Sequence, residues 1–276
     1  MSVATYAAAQ LLRVLPRVRI TRAVGRLADA KMHPRIAEAV VGLFVRAYAV
    51  DLGEAIQPNG GFESFDAFFT RELRPGQRPS PADARAVVSP ADGRLDAVGD
   101  VEVGGRFQVK GRPYTAEALL GSSTEAARYH GGQYFIVYLS PRDYHRVHAP
   151  VAGVVREIRS MSGDLFPVNS IGELHVPSLL AINRRVAIPI ETEHLGRVTV
   201  VMVGAMIVGR ITVGCIPERD VPIGDHVLSP AWQVERGGEI GMFHLGSTAV
   251  VFLEPGAPKL DRACGMVRYG EALHTV

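Results

Sequence analysis

The sequence predicts an α+β fold, with an N-terminal amphipathic helical region over residues 1–75 and a mainly antiparallel β domain over residues 76–276. Three observations predict this division. Apolar residues recur at helical spacing in the first 70 residues. Three prolines then fall between residues 75 and 84, as in a rigid loop between two regions. Beyond residue 87, short apolar runs alternate with Gly, Pro and Asp, a pattern typical of short strands.

The helical region opens with residues 3–31, where aliphatic residues alternate with arginines. Pro16 and Gly25 are expected to divide this segment into short helices. Its arginine face suits an anionic membrane surface, but the same pattern fits a helix packed on its own domain with its arginines in water. A second helix is predicted over residues 35–50, starting at His33-Pro34.

The remaining elements follow from shorter patterns. Aromatic residues at positions 62, 65, 68 and 69 have helical spacing and predict a short core helix. Seven apolar runs predict the strands: 94–101, 106–110, 133–139, 151–158, 186–191, 198–213 and 249–253. The run over 198–213 is broken by Arg210 and rich in β-branched residues, so it predicts a buried strand and no membrane span. No secretory signal is expected at the N-terminus.

Composition narrows the class of protein. Hydrophobic residues make up 47% of the 276 residues, which excludes a disordered chain. The net charge of +2 gives no general case for nucleic-acid binding. Residues 1–50 carry eight basic and two acidic side chains, a net charge of +6, so the remainder carries −4. Cys215 and Cys264 have no pairing signature, and three lysines leave few candidates for lysine Schiff-base chemistry.

The Gly246-Ser247 bond lies immediately before the apolar run 249–253. Glycine leaves its carbonyl unshielded and tolerates unusual backbone conformations. In a strained turn, a deprotonated Ser247 hydroxyl could attack the Gly246 carbonyl and convert the peptide into an ester. Elimination and hydrolysis would then leave a pyruvoyl group on the new chain. The alternative is an ordinary turn before a strand, since Gly and Ser are common turn residues.

Three further residues could assist this chemistry. His145 and His148 lie three apart in a polar loop after a predicted strand. They could bind a metal, be structural, or supply a general base; two histidines without further ligands do not make a zinc site. Asp92 lies in a tight turn, and Asp92, His148 and Ser247 could form a triad in which the aspartate orients the base.

In the loop over 163–169, Phe166 could cover a site and Asn169 could offer hydrogen bonds.

Taken together, seven segments resemble the phosphatidylserine decarboxylase proenzymes of the bacterial, pyruvoyl-dependent type. They cover residues 65–255 in order, and seven motifs in sequence are highly specific although each alone is weak. The segments are FFTRELRP (68–75), SPADG (89–93), KGRPY (110–114), LSPRDYHRVH (139–148), GDLFPVN (163–169), VGAMIVG (203–209) and LGST (245–248).

The resemblance implies self-cleavage between Gly246 and Ser247, giving a β chain (1–246) and an α chain (247–276) that stay together. Ser247 would become the pyruvoyl cofactor, which forms a Schiff base with phosphatidylserine and yields phosphatidylethanolamine for phospholipid biosynthesis. Asp92, His148 and Ser247 match the family's self-cleavage triad, and His145 matches a histidine implicated in decarboxylation. Neither a metal nor pyridoxal phosphate is expected.

The resemblance also affects the interpretation of the termini and partners. Phe166 and Asn169 match a loop near the substrate. A lipid substrate favours binding of residues 1–50 to an anionic membrane, as a peripheral protein on the cytoplasmic face of the cell membrane. Family analogy further suggests a homodimer. His244 and the segment 180–186 depart from the family pattern, which leaves the subclass and efficiency open.

Three hypotheses remain distinct. The first is a self-processing, pyruvoyl-dependent decarboxylase. The second is a serine hydrolase that uses the same triad without self-cleavage, although no Gly-x-Ser-x-Gly elbow surrounds Ser247. The third is a membrane-binding β domain without enzymatic activity, in which Gly246-Ser247 is a turn. Reagents that attack a pyruvoyl carbonyl, such as hydroxylamine, separate the first from the second.

Overall fold

The architecture is helical at the N-terminal end and rich in β-strands thereafter, as predicted. The computed structural model describes residues 15–78, 81–207 and 210–275. Within these ranges it has seven helices and three mainly antiparallel sheets, which confirms the α+β class. Residues 1–14, which form part of the predicted membrane-binding segment, lie outside the described residues, as do Val208 and Gly209 of the 203–209 motif.

Three helices form the N-terminal region: α1 (Arg17–Asp29), α2 (Pro34–Tyr48) and α3 (Phe65–Phe69). Proline stands just before α1 and at the first position of α2, where its missing N–H group costs no helical hydrogen bond. The short α3 begins at Ser64, whose hydroxyl accepts a hydrogen bond from the Ala67 N–H group at 3.1 Å.

The prediction that Gly25 interrupts the first helix is wrong, because α1 continues through it. A glycine inside a helix costs about 1 kcal/mol, which packing can offset. The contacts of this helix with the β-rich part of the chain include a hydrogen bond and an ion pair. The Thr21 hydroxyl accepts a hydrogen bond from the Ile207 N–H group at 3.0 Å, and Asp29 pairs with Arg210.

Fifteen strands and four short helices follow within the described residues. The strands are β1 (Gly93–Asp100), β2 (Arg106–Val109), β3 (Arg112–Thr115), β4 (Gln133–Leu139), β5 (Arg146–His148), β6 (Gly153–Val155), β7 (Ile158–Met161), β8 (Arg185–Glu191), β9 (Arg197–Val203), β10 (Arg210–Val213), β11 (His226–Leu228), β12 (Trp232–Val234), β13 (Glu239–His244), β14 (Ser247–Leu253) and β15 (Gly265–Val267). The helices are α4 (Ala116–Leu120), α5 (Ser123–Ala127), α6 (Ser170–His175) and α7 (Leu179–Ile182).

Two of the predicted strands are each divided in the structure. The run over 151–158 becomes β6 and β7, and the run over 198–213 becomes β9 and β10. These two predictions were wrong for the same reason. A continuous apolar run shows that the segment is buried, but it does not show where one strand ends and the next begins.

The large sheet has ten strands in the order β11-β7-β8-β9-β14-β4-β1-β15, with β6 and β12 attached beside β8. Every pairing is antiparallel. Most residues of its central strands β8, β9, β14 and β4 are buried, with Val and Ile the commonest, because both of their faces are covered. The buried side chains of the helices, including Ala28, Val41 and Phe68, belong to the same connected core.

A three-stranded sheet in the order β10-β13-β5 lies at one end of these central strands. Its order repeats the order β9-β14-β4 of the large sheet, because β10 follows β9, β13 precedes β14 and β5 follows β4. The chain therefore changes sheet at three neighbouring corners: residues 140–145, the segment between β9 and β10, described over 204–207, and residues 245–246. Because both sheets share this order, the corner at 245–246 lies between the other two.

Candidate active site

The corner at residues 245–246 has an unusual backbone. Only Leu245 and Gly246 separate β13 from β14, and these strands belong to different sheets. Both residues have positive φ, +90° for Leu245 and +68° for Gly246. The left-handed region costs a residue with a Cβ atom roughly 1–2 kcal/mol, whereas glycine enters it freely. The Leu245 side chain is 7% exposed, so its burial helps to hold this conformation next to the Gly246-Ser247 bond.

His145 lies on the neighbouring corner, just before β5. Its backbone carbonyl accepts a hydrogen bond from the Phe243 N–H group at 2.9 Å, which places it across from β13 near the 245–246 corner. Its Nδ1–H donates to the Asp143 carbonyl at 2.8 Å, and its Nε2 is buried without a partner. Burial and the nearby positive charge of Arg71 lower the pKa of His145 to about 3. The imidazole is therefore neutral with an unused acceptor at Nε2.

The corner that carries His145 is held by its own side chains and by residues of the α3 segment. The Asp143 carboxylate accepts hydrogen bonds from the Ser140 N–H group and hydroxyl, both at 2.7 Å. Arg71, from the segment after α3, donates to the Arg142 carbonyl at 3.2 Å. The Phe69 ring packs against the His145 imidazole, with ring centres 4.0 Å apart. These contacts explain why the LSPRDYHRVH and FFTRELRP motifs lie together.

His148 ends β5 and is held in a different environment. Its Nδ1–H donates to the Gly237 carbonyl at 2.8 Å, and its Nε2 accepts from the Tyr144 hydroxyl at 3.1 Å. The Tyr269 ring stacks on the imidazole at 3.7 Å and 3°. Burial lowers the pKa of His148 to about 4, although the Gly237 contact alone would raise it. His148 is thus also neutral, and its Nε2 is engaged by Tyr144.

Asp92 lies next to His148 without touching its imidazole. The Asp92 carboxylate accepts hydrogen bonds from the Arg78 guanidinium and from the Tyr269 N–H group at 2.9 Å. The turn that contains Asp92 is bound to β5 through its backbone, since the His148 N–H group donates to the Pro90 carbonyl at 2.7 Å. Tyr269 therefore connects the two predicted triad residues, by its backbone to Asp92 and by its ring to His148.

The strand register relates both histidines to Ser247, which begins β14 opposite Leu139 of β4. His148 is paired with Glu239 of β13, whereas His145 lies beyond the Arg146–Met242 pair, opposite Phe243. Three residues of strand amount to about 10 Å. His145 is therefore nearer to the 245–246 corner along the ladder than His148 is.

Phe166 and Asn169 occupy different positions in their loop. Phe166 is 8% exposed, and its backbone forms two hydrogen bonds with the Asn183 side chain, at 2.9 and 2.8 Å. The Arg17 guanidinium lies 3.9 Å above its ring. Asn169 is exposed, and its side-chain oxygen accepts from the Gly172 N–H group at 3.1 Å at the start of α6.

An apolar cavity of about 670 Å³ lies between the N-terminal helices and the corners where the chain changes sheet. One wall consists of α1, α2 and α3, with Leu27, Val40 and Phe44 among the lining residues. The other wall comes from the three sheet-changing corners and the 163–169 loop. It includes Leu139, Pro141, Asn169, Ile207, Leu245 and Gly246. Asn169 thus borders the same space as Gly246, whereas Phe166 does not line this cavity.

Sequence reasoning missed a buried contact beside the corner. The Asp66 carboxylate of α3 accepts from Nδ1–H of His244, at 2.8 and 3.0 Å to its two oxygens. His244 was visible in the sequence only as a departure from the family pattern. Asp66, inside the aromatic segment, carried no signal. In the described ranges, no helix is long and apolar enough to cross a bilayer, and no group of three or more His, Cys, Asp or Glu residues is placed to hold a metal ion.

Comparisons with known proteins agree with this arrangement. The family model for phosphatidylserine decarboxylase matches residues 65–275. The chain is 41% identical to the phosphatidylserine decarboxylase proenzyme of Anaeromyxobacter sp. (strain K) over 271 residues, covering 95% of each chain. It is 40% identical to the proenzyme of that name from Pseudomonas aeruginosa over 272 residues, covering 94% of this chain and 93% of the relative. For the proenzyme of Azotobacter vinelandii the identity is 39% over 267 residues. The chain therefore belongs to the phosphatidylserine decarboxylase family.

Proposed function

We propose that this chain is a pyruvoyl-dependent phosphatidylserine decarboxylase that matures by cutting itself between Gly246 and Ser247. The product chains, residues 1–246 and 247–276, stay associated, because β14 of the second is paired with β4 and β9 of the first. One observation carries the proposal. The corner with two positive φ angles, next to the Gly246-Ser247 bond, borders an apolar cavity suited to the apolar part of a lipid.

Maturation begins when the Ser247 hydroxyl oxygen attacks the Gly246 carbonyl carbon, and the hydroxyl proton passes through a base to the departing amine. This exchange turns the peptide bond into an ester. Loss of the Ser247 Cα proton and cleavage of the Cβ–O bond then release the Gly246 carboxylate and leave a dehydroalanine. Addition of one water and departure of one ammonia give the pyruvoyl terminus. We assign the base to His148 and its orientation to Asp92, whose contact with His148 runs through Tyr269.

The residues present fit a pyruvoyl group at position 247, because the corner opens on a space from which an amine-bearing lipid headgroup can approach. Such a group supplies a carbonyl that takes up the substrate amine and withdraws electrons from the leaving carboxylate. The chain's own residues then bind and protonate. The cavity holds apolar parts of the lipid, and Asn169 offers polar contacts at its rim. His145, neutral with Nε2 unused, holds or moves the proton that replaces the carboxylate.

We further propose that the protein binds the cytoplasmic face of the cell membrane, and the helical wall of the cavity supports membrane binding. Leu27 is 73% exposed and Leu43 64%, although both are large apolar residues. Five exposed arginines accompany them on α1 and α2: Arg19, Arg22, Arg26, Arg35 and Arg46. Apolar residues insert into the interface of a bilayer, and arginines bind its anionic headgroups. Leu27 and Val40 line the cavity as well, so the cavity opens where the helices would meet the lipid.

The test is the intact mass of the denatured protein combined with decarboxylation of phosphatidylserine in vesicles. We expect two chains that divide after Gly246, the smaller one lighter by one ammonia than a simple hydrolysis product. Ser247→Ala should give one full-length chain without decarboxylase activity. Ser229→Ala, a change at an exposed serine, should mature and act normally. A fully active Ser247→Ala protein would contradict the proposal.

Hydroxylamine separates this function from a serine hydrolase that does not cleave itself. The reagent attacks a pyruvoyl carbonyl, so it should abolish the activity of the matured protein. A protein that stays active in hydroxylamine and runs as one full-length chain would favour the hydrolase. The homodimer suggested by family analogy remains a prediction for a sedimentation or light-scattering measurement.

A further inference from the structure

The last residue of β13, His244, is fixed from two sides. Its Nδ1–H donates to the Asp66 carboxylate of α3, and its Nε2 forms a hydrogen bond with the Thr212 hydroxyl of β10 at 2.8 Å. The side chains of His244 and Asp66 are each 3% exposed. An imidazole with both nitrogens bonded inside a protein has little freedom to rotate or shift. The backbone entering the 245–246 corner is held accordingly.

Asp66 is also the centre of a charged cluster. Its carboxylate pairs with Arg210 at 3.0 Å and with Arg219 at 2.6 Å. Burial alone would raise the pKa of Asp66, but the His244 hydrogen bond and the two arginine charges hold it below its ordinary value. Asp29 of α1 pairs with the same two arginines, yet no contact joins it to His244. Asp29 and Asp66 therefore share an ionic environment and differ in one contact.

The corner itself cannot relax while His244 is held. Leu245 would leave the left-handed region only if the chain on one side of it moved. On one side His244 is bound to Asp66 and Thr212, and on the other Ser247 is already paired with Leu139 in the large sheet. The strained φ of +90° at Leu245 thus follows from two fixed ends with only two residues between them.

We propose that the Asp66–His244 contact is a positioning device for self-cleavage. It holds the Leu245-Gly246 corner in the left-handed conformation, and cutting the next peptide bond releases the strain stored there. The inference rests on the proposed function, since it concerns the first step of that maturation. Neither residue is assigned contact with the reacting atoms or with substrate, so both act through the corner. Docking of α3 is in this way coupled to maturation.

The test follows the rate at which full-length chain converts into two chains after synthesis, together with decarboxylation per cleaved molecule. His244→Ala and Asp66→Ala should slow cleavage roughly tenfold, the factor that left-handed strain in a non-glycine residue would supply. His244→Asn keeps an N–H donor near the position of Nδ1 and should cleave within about threefold of wild type. Asp29→Ala, the matched control, should cleave at the wild-type rate.

The outcomes distinguish the inference from the function on which it rests. Decarboxylation per cleaved molecule should be unchanged in every variant, because the contact acts before cleavage. If His244→Ala and Asp66→Ala both cleave as fast as wild type, the positioning role is wrong and the proposed function stands. A folded His244→Asn protein as slow as His244→Ala would also overturn the role. A wild-type chain that never cleaves would remove the proposed function itself. Should Asp66→Ala fail to fold, the two His244 variants decide.

Discussion

The two walls of the apolar cavity differ in chemistry. The helical wall, α1 and α2, exposes large apolar residues and arginines, and the described part of it contributes no buried histidine. The opposite wall is formed by corners between sheets. His145 at the end of one corner and His148 in the strand β5 that follows it are almost fully buried, have lowered pKa values and do not line the cavity. These corners and β5 form the corner side of the molecule. In the proposed function, binding of a lipid surface and transfer of protons thus lie on different elements. Mutations should therefore affect one without the other.

The largest effect is expected on the corner side, from His148→Ala. Removal of a general base typically costs a factor of about 10²–10⁴ in rate. The full-length chain should therefore accumulate uncleaved, which mass spectrometry of the denatured protein measures directly. His145→Ala is the matched change, and with the roles proposed here it should cleave normally and then fail to decarboxylate.

The strand register suggests an alternative assignment of the two histidines, with His145 as the base for cleavage. His145 lies nearer to the 245–246 corner along β5, and its Nε2 is free, whereas the Nε2 of His148 is bonded to Tyr144. A His145→Ala chain that stays uncleaved while His148→Ala matures would exchange the two roles. Tyr144→Phe frees the Nε2 of His148 without removing the ring, and we expect it to preserve cleavage.

A smaller effect is expected on the helical side. Replacing both Leu27 and Leu43 by Glu removes two exposed leucines and adds negative charge to a basic surface. Each leucine contributes about 1.5–3 kcal/mol when fully buried in an apolar phase. Binding to vesicles with anionic lipid should weaken at least about tenfold, as measured by vesicle sedimentation, and self-cleavage should proceed at the wild-type rate.

Val103→Glu is the control for that pair, because Val103 is 84% exposed but belongs to the turn between β1 and β2. Its vesicle binding should equal that of wild type. Unchanged binding in the double variant would favour the alternative that α1 simply packs on its own domain. The deletion of residues 1–31 is a less clean test, since it also removes the Arg17–Asp164 and Asp29–Arg210 pairs that attach α1 to the β body.

Local sequence patterns predicted the elements better than the contacts between them. The start of α2 at Pro34 follows from the fixed φ of proline and its missing N–H group, which act locally. The division of 198–213 between two sheets could not be predicted, because an apolar run contains no information on which strands it will join.

The site shows the same limit more sharply. The motifs brought Asp92, His148 and Ser247 together as candidates, but Asp92 is taken up by Arg78, only 14 residues away in sequence. Asp66 and His244 are 178 residues apart, and nothing in the residues around either predicts the other. Such a pair follows only from the order β9-β14-β4 and the docking of α3, which are properties of the whole fold.

The smallest expected effect is that of pH on the rate of cleavage. It tests whether the base that deprotonates Ser247 is as deeply buried as His148 is in the structure. A base acts when neutral, so lowering its pKa moves the loss of rate to lower pH. With the pKa of His148 lowered to about 4, roughly 90% of the base is neutral at pH 5, and cleavage should be nearly as fast there as at pH 7.5. An ordinary histidine would be about 3% neutral at pH 5, and cleavage would slow roughly thirtyfold. The unfolded chain protonates this histidine below about pH 6.5, so the stability of the fold also declines between pH 6.5 and 4. The fluorescence of Trp232 should therefore be followed in the same samples. A thirtyfold loss in a protein that is still folded at pH 5 would place the working base in water, outside the buried stack of His148 and Tyr269.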